Sequence, residues 1–332
     1  MNQQIKPDAH LFINYIDQLI KEPWLGQSRR WWPKFVYHFT NIDNAVKILE
    51  DGRLLSRGKL NKLQGMVTDN ASPNVIENTD DRWKEFVRLY FRPRTPTQFQ
   101  NEGIRPKENR YHGAHCPVPI FFLFDSKKIL IRKSVQFSKQ SLAIAGTIAY
   151  SDFIHFREIP FRQVYHDDWF LPEDRDLIVP YRHAEVIVPD ELDLEDLRYI
   201  WCRSEAEQRT LMNLLTKETR EKWKSKIGSG KKGNFFFRNW LFVEKVHLSE
   251  ESITFYFNLP VNHEDEPYEL ELTINENITG NKYFWNGLLQ GENQLTFELS
   301  NLLVRTNYSV KLYCDNQIIF ADEFIYDDDL PF

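Results

Sequence analysis

The sequence predicts an α+β domain followed by an all-β sandwich of immunoglobulin-like form. Three observations carry that expectation. Helical and strand segments mix through the first two thirds of the 332 residues. A glycine-rich stretch, Ile227-Gly-Ser-Gly-Lys-Lys-Gly233, then has the composition of a flexible, soluble linker. Beyond it, Ile253, Phe255 and Phe257 alternate with polar or aromatic neighbours. So do Leu270, Leu272 and Ile274, then Leu295, Phe297 and Leu299, then Val310 and Leu312, as half-buried strands do. The divisions read as a helical extension over 1–34, the α+β domain over 35–225, a linker over 226–240 and the sandwich over 241–332.

Each element has a local reason. Leu11, Ile13, Tyr15, Ile16, Leu19 and Ile20 recur at helical spacing over 8–21. Trp31, Trp32 and Pro33 stop that helix and anchor it. A short strand, Phe35–Phe39, leads into a helix over Ile42–Glu50, which Thr40 or Asn41 can cap and Gly52 can end. Residues 56–80 are polar and read as a long surface loop. Phe86–Phe91 reads as a strand, stopped by Arg92-Pro93-Arg94-Thr95-Pro96. Ile120–Phe124 reads as a buried strand, 127–140 as a strand and turn, and Leu142–Ala149 as another packed element. Residues 155–180 are aromatic, charged and irregular. Ala184–Pro189 is a strong short strand, and 203–225 a charged amphipathic helix.

Composition narrows the function classes. Hydrophobic residues at 42% suffice for real cores, and 13 Gly with 16 Pro exclude collagen-like and low-complexity chains. No run of 18 apolar residues would span a membrane, and the first residues lack a secretory layout. Cys116, Cys202 and Cys314 are odd in number and far apart, which fits a reducing cytoplasm. The net charge of −6 conceals an asymmetry. Residues 240–332 hold 4 Lys and Arg against 17 Asp and Glu, whereas 1–239 hold 38 against 31. Within 53–139 the balance is 17 against 8, which points either to an anionic partner or to uneven surface solvation.

Three stretches could carry chemistry. In Tyr37-His38-Phe39-Thr40-Asn41-Ile42-Asp43-Asn44, His38 and Thr40 share one face of a strand. With Asn44 they gather at a helix N-terminus, which suits an anionic ligand or, more simply, a capped helix beside a structural histidine. In Tyr90-Phe91-Arg92-Pro93-Arg94, prolines present arginine forks beside aromatic faces, the chemistry of phosphate and base contacts, or else of a charged surface loop. In Arg182-His183-Ala184-Glu185, a glutamate opens an apolar strand, facing a cleft or pairing with a basic neighbour. His112-Gly-Ala-His115-Cys116 has no second ligand cluster, so no metal is expected.

Taken in order, these stretches resemble the DarT family of NAD-dependent ADP-ribosyltransferases, which modify a base in single-stranded DNA. The resemblance covers about residues 35–215. It rests on Tyr37-His38-Phe39-Thr40 with Asp43-Asn44 and Ile48-Leu49, on Tyr90-Phe91-Arg92-Pro93-Arg94-Thr95-Pro96, and on Ala184-Glu185-Val186-Ile187-Val188. It implies a split-sheet ADP-ribosyltransferase fold. It also implies that His38 and Thr40 hold NAD as substrate, with Asn44 supporting them and Tyr90 lining the nicotinamide side. Glu185 would be the catalytic glutamate, and Arg57 and Arg82 are candidates for the family's loop arginine. Arg92, Arg94, His166 and Arg182 would touch nucleic acid, the last two within or beside a recognition segment over 155–182. The chain departs from the pattern at Arg88 and Thr97, where the family often has proline and methionine.

The activity implied is transfer of ADP-ribose to a base of single-stranded DNA or RNA, by a cytoplasmic toxin of a toxin–antitoxin or anti-phage system. The alternatives are an mRNA-directed enzyme or an inactive NAD- and nucleic-acid-binding module. The acidic sandwich would serve interaction, with an antitoxin or other protein, would cover the basic region in cis, or would simply aid solubility. On these expectations Glu185→Ala abolishes transfer with little effect on folding, and self-cover would make deletion of 240–332 speed transfer.

Overall fold

The computed structural model describes residues 4–63, 80–261 and 266–326. The Ala9–Leu19 helix buries Phe12, Ile16 and Leu19 along one stripe. Phe12 meets Phe137, Phe153 and Phe156 edge-on or tilted, so this helix joins the main core.

Nine strands follow before the sandwich. They are β1 (Phe35–Asn41), β2 (Arg53–Leu55), β3 (Phe86–Tyr90), β4 (Pro119–Asp125), β5 (Gln136–Phe137), β6 (Glu185–Pro189), β7 (Glu191–Asp193), β8 (Leu197–Cys202) and β9 (Ile227–Ser229). Seven form one sheet in the order β5-β6-β3-β1-β4-β8-β9, while β2 pairs with β7. The chain enters the Ile42–Asp51 helix directly from β1, and Gly52 ends it at φ 70°, a left-handed conformation that glycine adopts without strain.

Several local expectations change. Residues 57–62 of the expected long loop form a short helix, because the Ser56 hydroxyl accepts the Lys59 amide; residues 64–79 of it lie outside the described residues. The 127–140 region begins as a helix, Ser126–Leu130, capped by Asp125, before β5. The single helix expected over 203–225 is two, Glu205–Leu214 and Lys217–Trp223, because Thr216 caps a new start. The glycine-rich stretch is no free linker at its start. Ile227–Ser229 adds a parallel strand to β8, and a Cβ at Gly228 would lie 2.6 Å from the Trp201 ring. Glycine there permits close packing rather than flexibility.

The last part is all β: β10 (Phe242–Leu248), β11 (Ser252–Asn258), β12 (Tyr268–Glu276), β13 (Lys282–Leu289), β14 (Gln294–Glu298), β15 (Asn307–Cys314) and β16 (Gln317–Ile325). One antiparallel sheet runs β10-β11-β14 and the other β13-β12-β15-β16. Phe255 meets Phe320 edge-on at 5.6 Å between the two sheets.

This region shares its core with the rest of the chain. One continuous apolar cluster runs from Phe12 to Phe320. At the junction the Ser204 hydroxyl donates to the Val243 carbonyl (2.6 Å), and Thr210 accepts the Ala321 amide (3.1 Å). Arg209 pairs with Asp322, and the Ile104 amide donates to the Leu241 carbonyl. Arg203 is wholly buried between Glu207 and Glu102. Among the described residues, no helix is long and apolar enough to cross a membrane.

Candidate active site

Glu185 opens β6. Its partner across the ladder is Tyr90 of β3, and the partner of Tyr90 in β1 is Tyr37. Directly opposed residues share a face, so these three project together. Tyr37–Tyr90 is the one register pair that joins β1 to β3. Beyond it β1 stays paired with β4 through seven residues, while β3 stays with β6 through five. The sheet is therefore split at this point.

His38 borders the opening. Its Nδ1 lies 3.2 Å from the Arg88 carbonyl, which can only accept, so Nδ1–H donates. Burial pushes its pKa down to about 4, so the ring is neutral near pH 7 and Nε2 is an acceptor. Thr40 leaves the same face of β1 two residues on, and its hydroxyl accepts the Asn44 side-chain amide at 3.3 Å. These three residues come together as the sequence predicts, on the face of β1 opposite to Tyr37.

The Glu185 carboxylate is 1% exposed and fully engaged from one side. Oε1 accepts Arg88 Nη2 at 2.6 Å and the Leu142 amide at 3.1 Å, and Oε2 accepts Arg88 Nε. Burial is the largest influence on the Arg88 pKa and lowers it, but the charge of Glu185, that of Tyr90 and the hydrogen bond to Glu185 together outweigh it, and the net direction is up. Burial, then the same carboxylate, lifts the Tyr90 phenol to about 12, so it stays protonated; its hydroxyl shares a hydrogen bond with Thr97. Arg88 and Thr97, two departures from the family pattern, thus sit against Glu185 and Tyr90.

A cleft of about 380 Å³ opens beside this group, lined by Asp80–Trp83 and Leu142–Thr147. Arg82 stands at it, stacked on Trp83 at 4.3 Å and paired with Asp80 at 3.0 Å. Arg57 is placed elsewhere. A Cβ on its neighbour Gly58 would lie 2.3 Å from Glu85, at the far end of β3. The backbone there is ~13 Å along the strand from Tyr90.

Arg92 does not face solvent, contrary to the sequence reading. It is wholly buried and donates to the carbonyls of Pro93, Val164 and His166 and to Asp167 (2.6 Å). The rigid block has turned this fork inward, where it staples the 155–182 segment to the core. Arg94 pairs with the other Asp167 oxygen at 2.8 Å, and Arg182 donates to His166 Nδ1 at 2.9 Å. Arg92→Ala is expected to cost about 3 kcal/mol of stability, because it leaves one Asp167 oxygen and three carbonyls without their donor. Urea denaturation measures this; a variant as stable as wild type would return Arg92 to a surface role.

His115 Nε2 accepts the Arg105 amide at 3.1 Å, a structural arrangement. Among the described residues, no group of three or more His, Cys, Asp or Glu could hold a metal ion. Burial pulls His115 down to about 3, helped by Arg110 and Arg105, and pulls His183 down to about 4, helped by Arg88 and Arg92. With His38, three histidines stay neutral in the fold while the unfolded chain protonates near pH 6.5. Their stabilisation is present above pH 6.5 and is lost as pH falls toward 4, on the order of 2 kcal/mol for His115 at pH 5. Glu207, pushed up to about 7 by burial, titrates in the opposite sense, so the three histidines set the sign. Calorimetry should give a lower melting temperature at pH 5 than at pH 7.5; equal values would contradict the neutral histidines.

Comparison with known proteins adds the family. The model described as "ssDNA thymidine ADP-ribosyltransferase, DarT" matches residues 37–237. Similar solved structures include Thermus sp. 2.9 DarT in complex with ADP-ribosylated ssDNA (TM-score 0.48, 15% identity, 62% of this chain and 97% of that one). The same protein in complex with NAD+ gives 0.46 and 14%, over 62% and 98%. Thermosipho africanus DarTG in complex with ADP-ribose gives 0.46 and 19%, over 65% and 53%. No curated protein matches the chain.

Proposed function

The chain belongs to the DarT family of ADP-ribosyltransferases, which use NAD as substrate, and from that premise we propose that it transfers ADP-ribose to a base of single-stranded DNA, with Glu185 as its catalytic carboxylate. The family's description makes that base thymidine. The observation that carries the reading is the placement of Glu185 beside Tyr90, at the point where the sheet splits. A carboxylate there stabilises the positive charge that grows on the ribose as the bond from C1′ to nicotinamide breaks. The bonding electrons leave with nicotinamide, the lone pair of the base nitrogen forms the new bond to C1′, and the proton of the base passes to Glu185 as general base.

His38, Thr40 and Asn44 hold NAD in this reading, with the phenol of Tyr90 against the nicotinamide. Arg82 suits the NAD phosphates better than Arg57, because it borders the cleft whose Leu142 amide touches Glu185. Arg94, His166 and Arg182 contact the DNA, and exposed Trp169 and Leu177 on the same segment offer faces to bases. Arg92 acts only by holding that segment. The biological setting that fits is a cytoplasmic toxin of a toxin–antitoxin or anti-phage system, whose antitoxin or other partner binds the sandwich.

Labelled NAD incubated with single-stranded DNA and RNA oligonucleotides tests the reading. We expect label on DNA, sensitive to DNase and resistant to RNase. Label on RNA alone would move the acceptor, and NAD binding without nicotinamide release would leave a binding module.

A further inference from the structure

We infer that Arg88 is a positioning residue for the transfer step, holding the Glu185 carboxylate in one orientation with a single acceptor position open. The inference rests on the catalytic reading of Glu185. A carboxylate has about four acceptor positions. Among the described residues, three are taken: by Arg88 Nη2 and the Leu142 amide on Oε1, and by Arg88 Nε on Oε2. The one left, on Oε2, can accept one ribose hydroxyl or one proton, from a direction fixed by the fork.

The pairing follows from the sheet. Arg88 and Tyr90 lie two apart on β3 and share a face, and Arg88 reaches diagonally across the ladder to the residue opposite Tyr90. Buried as it is, the Glu185 carboxylate has its charge balanced by the Arg88 guanidinium. Among the described residues, no other cation bonds the Glu185 carboxylate. Tyr90 is held protonated, His183 is held neutral, and the guanidinium of Arg92 is committed to Asp167. A lysine at position 88 would restore charge but not the two-point fork.

The test uses full-length Arg88→Gln and Arg88→Lys, with nicotinamide release and transfer to single-stranded DNA followed together. We expect kcat to fall about 100-fold in the glutamine variant, as misplacement of a reacting group does, while KM for NAD changes little. The lysine variant should recover part of the loss. A folded glutamine variant with wild-type kcat overturns the inference, and so does a rise in KM at unchanged kcat, which would make Arg88 a substrate contact. If the glutamine variant does not fold, the lysine variant decides: wild-type kcat overturns the inference, and a reduced kcat at unchanged KM supports it. Wild-type protein that neither releases nicotinamide nor labels DNA would remove the functional reading itself and this inference with it; active wild type beside unaffected variants would remove this inference alone.

Discussion

Glu185→Ala abolishes transfer, by about 10³-fold or more, and also lowers stability by about 3 kcal/mol. The second effect departs from what the sequence suggests. A glutamate at a strand start could be trimmed without harm if it faced open solvent. Here the substitution strands Arg88, which loses both of its carboxylate bonds, and leaves the Leu142 amide without its acceptor. The Arg88 side chain is 25% exposed and recovers some hydration, which holds the loss to the low end of the range for a broken buried pair. Glu185→Gln keeps an oxygen for the fork and should be equally inactive but closer to wild type in stability. Transfer assays paired with thermal denaturation measure both effects. An active glutamine variant would assign the chemistry to another carboxylate.

Removing residues 240–332 does not release a faster enzyme; it yields a chain that fails to fold. Electrostatic cover in cis predicted the reverse. The acidic region instead meets the rest through apolar burial, with Leu241 and Val243 inside and the Glu205–Leu214 helix packed against β10 and β16. The cut also takes away partners of Ser204, Arg209 and Thr210. Its contacts include the Glu205–Leu214 helix between β8 and β9, at the end of the sheet away from β6, and Arg110, which pairs with Asp315. Circular dichroism and gel filtration of residues 1–239 provide the measurement. A monomeric fragment with a cooperative melt would show that the two parts fold independently. Full-length activity in 1 M salt is informative as well, because an apolar junction survives the screening that would dissolve a charged one.

Much of this arrangement is legible in the chain because local signals agree with it. Thr40 and Asn44 lie four apart across a strand–helix joint, and they bond as that joint requires. The two-residue period after Ile253 gives true strands because each has one buried face. What escaped depends on register. Nothing local says that position 88 lies diagonal to position 185, since that needs the β3–β6 pairing of segments about a hundred residues apart. Arg92 and Arg94 look alike in sequence. One turns inward because Asp167 and the carbonyls of Val164 and His166 await it, and these come from a segment with no pattern of its own. Glycines misled for a related reason, since flexibility and close approach call for the same residue.

The single rung between β1 and β3 has a mechanical consequence. Seven pairs bind β1 to β4 and five bind β3 to β6, so the sheet comprises two stiff plates hinged at Tyr37 and Tyr90. His38 rides on one plate, Glu185 on the other. Widening the aperture between them would break that ladder contact and the His38–Arg88 hydrogen bond, while the pairings within each plate remain. The sandwich packs at the end of the plate bearing His38.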